Sequence, residues 1–144
     1  MYYARMSSYA YRHSHPTTAS PSAIWPLYAE LANRPKWDPD LVRMTLDGPF
    51  ATGTRGVMEI ASQGPLEFTL EDVQPERGFV DVTSVAGATI RFGHWIERTG
   101  EGATLTHVLE IEAEEPLAQQ LGAMISADIP DSMSRLAALA EDPA

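Results

Sequence analysis

The sequence predicts an α+β domain in which a curved, seven-stranded antiparallel sheet wraps a long C-terminal helix and encloses a cavity. Three observations carry this. From Leu41 onward the hydrophobic period switches to two, in short runs broken by turn signals. The gaps between those runs are too short for crossover helices, so neighbouring strands run antiparallel. Near the C-terminus, Leu117, Leu121, Ile125, Ile129, Met133, Leu136 and Ala140 trace one helical stripe. That helix is the only element large enough to cover the open face of the sheet. A strongly curved sheet is more than one helix can fill, which leaves room for a cavity.

The elements follow in order. Tyr9 to Thr18 alternates large and small residues and reads as a strand ending near Pro16. Ser20-Pro21 is an N-cap followed by proline at the first helical position. Ile24, Leu27, Tyr28 and Leu31 continue at helical spacing, which predicts a helix from Ser20 to about Asn33. Arg34-Pro35-Lys36-Trp37-Asp38-Pro39 reads as a turn or short helix carrying an indole. These two short helices separate the first strand from the second. Six strands are then predicted at 42–46, 55–61, 66–73, 79–85, 88–97 and 103–113. Asp47-Gly48-Pro49, Gly64-Pro65, Pro75-Glu76-Arg77-Gly78, Ala86-Gly87 and Gly100-Glu101-Gly102 separate them. Pro130 should kink the terminal helix.

Composition narrows the function classes. The 144 residues suit one domain, 1–144, with 1–8 expected to be a flexible N-terminal extension. No cysteine is present, which excludes disulfides, thiolate metal sites and cysteine nucleophiles. A net charge of −10, with ten basic residues scattered singly, argues against a nucleic-acid partner. No membrane span and no signal-peptide core is apparent, so a cytoplasmic protein is expected. No cofactor is implied, and a homodimer stays open.

Several strings carry a resemblance. Ala19-Ser20-Pro21-Ser22-Ala23-Ile24-Trp25, Trp37-Asp38-Pro39-Asp40, Leu46-Asp47-Gly48-Pro49-Phe50 and Gly53-Thr54-Arg55-Gly56 are the first. Ile90-Arg91-Phe92-Gly93-His94, Thr106-His107 and Arg135-Leu136-Ala137-Ala138-Leu139-Ala140 follow. Together they resemble the START-related (SRPBCC, helix-grip) superfamily, in its polyketide cyclase/dehydrase-like branch, from about Tyr11 onward. The resemblance implies a helix-grip fold and a hydrophobic small-molecule ligand. It does not choose between cyclases, carriers and interaction modules. No arginine, tyrosine and serine set like that of the aromatase/cyclases can be placed on this chain.

The last hairpin carries the most chemistry. Centring its turn on Gly100-Glu101 pairs Ile96 with Leu105, His94 with His107, Phe92 with Leu109, and Ile90 with Ile111. Three apolar pairs flank the histidines, so this register gives one buried face. His94 and His107 then sit side by side facing the helix. On the first strand, Tyr11, His13, His15 and Thr17 share a face; the helix-grip resemblance implies that this strand lies beside the last, which would set His13 or His15 opposite His107. An imidazole titrates near neutrality and suits acid–base work on a carbonyl or phenol. The competing readings are hydrogen-bonded cavity lining without chemistry, and metal binding, for which no familiar ligand spacing exists.

His94 and His107 are therefore the candidate catalytic pair. Trp37, Ile90, Phe92, Leu105, Leu109, Ile111, His13, His15 and Met124 are the candidate ligand contacts, with Trp37 as a lid near the mouth. No metal site is assigned. Asp81 alternates with Phe79 and Thr83, and inward it would approach His94. Val80 and Val82 compete for that face, so a solvated Asp81 is the preferred reading. Trp25, Met58, Ile60, Phe68 and Leu70 fit core and cavity wall equally well.

Overall fold

A computed structural model describes residues 5–142. The strands are β1 (Met6–Thr17), β2 (Leu41–Leu46), β3 (Arg55–Ile60), β4 (Gly64–Gln74), β5 (Gly78–Val85), β6 (Ala88–Thr99) and β7 (Gly102–Glu114). They form one antiparallel sheet in the order β1-β7-β6-β5-β4-β3-β2. The first strand lies beside the last, as the helix-grip resemblance implies.

β1 begins earlier than expected. Met6, Ser7 and Ser8, assigned above to a flexible extension, pair with Glu114, Ala113 and Glu112. Serines give little strand signal of their own, and the long β7 edge supplies the backbone partners that extend the strand. Pro16 is tolerated because β1 lies at the sheet edge.

Between β1 and β2 the chain forms α1 (Pro21–Ala29), a single 3-10 turn at Leu31–Asn33, and α2 (Arg34–Trp37). The Ser20 hydroxyl accepts from the Ala23 N–H at 3.2 Å and opens α1. The helix stops four residues short of the predicted Asn33. There the Asn33 side-chain amide donates to the Pro26 carbonyl at 3.1 Å, a local bond that competes with another helical turn.

The C-terminal stripe is a bent helix in two parts, α3 (Leu117–Ser126) and α4 (Ile129–Glu141). The bend lies at Pro130, which lacks an N–H and crowds the carbonyl four residues earlier, that of Ser126. α3 rests on β7 and β1 and α4 on β1, and α4 also meets α1 and α2. Leu105, Leu109, Ile111, Met133 and Leu136 are fully buried in the core. The helices thus cover one half of the concave face. The half built by β3 to β6 is left to line a space.

Candidate functional site

That space is a cavity of about 700 Å³. Met58, Ile60 and Leu66 form one wall, Ile90 and Phe92 another, and Leu117, Leu121, Met124 and Ile125 of α3 face them. Volume and lining suit a small molecule with a largely apolar body.

A polar cluster interrupts the apolar walls. His94 and His107 pair across β6 and β7, and Ile96–Leu105, Phe92–Leu109 and Ile90–Ile111 take the register read from the sequence. The two imidazoles lie 4.7 Å apart, edge to face, and both line the cavity. His94 is held flat between Phe79, at 4.3 Å and 11°, and Phe92, at 4.7 Å and 17°. The Tyr28 hydroxyl meets His107 Nε2 at 2.8 Å. Asp81 Oδ2 lies 3.9 Å from His94 Nδ1, too far for a hydrogen bond, and that nitrogen has no other partner.

Burial sets the charge states. It drives the proton affinity of His94 well below the ordinary imidazole value, with His107 and then Arg34 adding repulsion. It brings His107 down to about 3, with Arg34 and then His13 contributing. Both rings are therefore neutral at pH 7. Burial raises Asp81 to about 7, against the opposing pull of Arg34. It also pushes the Tyr28 phenol up and lowers the proton affinity of the Arg34 guanidinium.

The candidate contacts divide. Trp37, Ile90, Phe92 and Met124 line the cavity together with His94 and His107. Leu105, Leu109 and Ile111 do not, because β7 lies beneath the C-terminal helices and its inward apolar side chains are sealed into the core. His13 pairs with His107 and His15 with Leu105, but both are half-buried on β1, which α3 and α4 cover, and neither lines the cavity. Two of the four histidines, not all, reach it. Trp37 forms part of the cavity wall. It is 2% exposed, donates from its indole to the Leu27 carbonyl at 2.9 Å, and packs edge to face on Tyr28.

Asp81 is buried and faces the cavity, contrary to the solvated reading. A two-residue Ala86-Gly87 turn pairs Val85 with Ala88, which sets Asp81 opposite Phe92 and Phe79 opposite His94. That arithmetic was available once His94 was taken as inward. Tyr28 was counted as part of an apolar stripe, and Arg34 as a turn residue. No local pattern marks Arg34, whose position depends on α2 lying against the cavity. Among the described residues, no group of three or more His, Cys, Asp or Glu is placed to hold a metal ion. No described helix is long and apolar enough to cross a membrane.

Comparison with solved structures places this architecture. A truncated norcoclaurine synthase from Thalictrum flavum is 13% identical with a TM-score of 0.75, over 96% of this chain and 97% of that chain. An uncharacterized protein from Rhizobium leguminosarum is 11% identical with a TM-score of 0.74, over 97% and 99%. DynU16, a protein of the dynemicin biosynthetic locus, is 18% identical with a TM-score of 0.71, over 93% of this chain and 48% of that one. These likenesses show the shared fold. No curated protein matches the sequence. Residues 10–141 match the family described as polyketide cyclase/dehydrase and lipid transport, and the chain, a helix-grip ligand-binding protein, belongs to that family.

Proposed function

We propose that the protein binds an aromatic or polyketide-like carbonyl compound and catalyses its enolisation or dehydration, as a cyclase/dehydratase-like enzyme. The observation that carries this is the cluster of His94, His107, Tyr28 and Asp81 set into an apolar cavity. A neutral imidazole accepts a proton, and the orphaned Nδ1 of His94 faces Asp81. In the proposed step the substrate α-C–H bond breaks and its proton passes to His94 Nε2. The electron pair moves onto the carbonyl oxygen as enolate, while the new imidazolium is stabilised by the ionised Asp81. Tyr28 donating to His107 Nε2 leaves the His107 proton on Nδ1 and fixes that ring as an orienting group.

A carrier or sensor is the second reading, favoured by the low proton affinity of both rings, which makes them weak bases. The interaction-module reading draws less support. Among the described residues the exposed large hydrophobics are Met6, Val42 and Met124, and Met124 belongs to the cavity. Deuterium incorporation into 2-tetralone, followed by NMR in D2O, tests the enzyme reading. Exchange above the buffer rate is expected, with His94→Gln depressing it 100-fold or more on the scale of a lost general base. Binding of the ketone without accelerated exchange would leave the carrier.

A further inference from the structure

We infer that the cavity's ligand carries an anionic oxygen group, and that Arg34 is the residue that selects it. This deepens the proposed function and rests on the cavity being a ligand site. Arg34 lines the cavity with only 4% of its surface exposed. Its Nε and Nη1 have no hydrogen-bond partner, and among the described residues no carboxylate lies within ion-pair distance of it. The guanidinium carbon lies 5.1 Å from the Trp37 ring and 5.7 Å from the Phe79 ring. Those faces hold a cation in place but offer its N–H groups no acceptor. Asp81 and Asp38 attract the guanidinium from beyond contact distance, but its buried N–H groups stay unsatisfied until an acceptor reaches them.

The surroundings sharpen the selection. Ile60, Leu66, Ile90, Phe92, Leu121 and Ile125 line the same cavity and suit an aromatic body. Asp38, Asp40, Asp81 and Asp128 line it as well, so every other charge there repels an anion. Selection for a carboxylate therefore depends on Arg34, and its removal should reverse the preference. Arginine does not shed its charge, so Arg34 offers an entering anion a permanent cation.

Calorimetric titration at pH 6 with 2-naphthoate and its neutral isostere 2-naphthamide reads this directly. The unmodified protein is expected to prefer naphthoate by about tenfold or more, the scale of one charge-assisted hydrogen bond. Arg34→Gln should prefer naphthamide. Arg34→Lys, which keeps the charge but loses the planar fork, should keep a weaker preference for naphthoate. Equal or tighter binding of the amide by the unmodified protein overturns the assignment, and so does an Arg34→Gln protein that still prefers naphthoate. The first comparison needs no variant and decides even where Arg34→Gln fails to fold. Amide binding without carboxylate preference removes the role of Arg34 alone. Failure of both compounds to bind removes it together with the proposed aromatic ligand.

Discussion

At the residue scale, a few buried ionisable groups set the pH dependence of the molecule. His107 and His94 resist protonation in the fold, but in the unfolded chain they take protons below about pH 6.5. The unfolded state then binds more protons, so stability falls as pH drops below that value. Asp81 works in the other direction. Unfolded, it releases its proton near pH 4; folded, it keeps it to about 7, so its contribution falls as pH rises between them. Two histidines outweigh one aspartate on the acid side, which sets the stability optimum of these three groups close to pH 7. Urea midpoints between pH 5 and 8 should show it. Asp81→Asn should stabilise the protein above pH 7, by at most about 4 kcal/mol, and much less at pH 5. His107→Gln should flatten the acid limb. A destabilised Asp81→Asn protein at pH 8 would contradict the buried, reluctant carboxylate. The His94–His107 neighbourhood was legible in the sequence because a turn and three apolar pairs set its register. Asp81 was misread because two valines compete for its face. Arg34 was invisible because no periodicity governs a four-residue helix.

At the element scale, the cavity exists because the bent C-terminal helix sits to one side of the sheet. Gly122 of α3 permits its close approach to β1, since a Cβ there would fall on the Tyr9 ring. The Tyr9 hydroxyl reaches Ser126 at 3.0 Å, at the end of the same helix. On an exposed helix, alanine in place of glycine stabilises by about 1 kcal/mol. Here the clash should reverse that sign, and Gly122→Ala should destabilise by about 1–3 kcal/mol in urea unfolding. A more stable variant would mean that α3 is not seated on β1. The amphipathic stripe and Pro130 made both helix and bend legible beforehand. The share of the sheet that the helix would cover was not, because a stripe says which face is buried and not against which strands. For that reason the sequence leaves Leu105, Leu109 and Ile111 between cavity wall and core, and the structure buries them in the core.

At the scale of the whole molecule, an apolar cavity meets two neutral, buried imidazoles and the polar groups around them. The alternation of period and the turn spacing made the architecture readable, because backbone pairing rules leave few topologies for a meander closed by one helix. The cavity's chemistry depends on which side chains converge from α1, α2, β5, β6 and β7, and that convergence is a tertiary property. Long-range ¹H–¹⁵N imidazole spectra, recorded from pH 8 to pH 5, free and with 2-naphthol, read the charge state and the ligand contact of both rings together. His94 and His107 should stay neutral throughout, with His107 protonated on Nδ1, and both should shift when the naphthol binds. Two rings that titrate near pH 6.5 and ignore the ligand would contradict this.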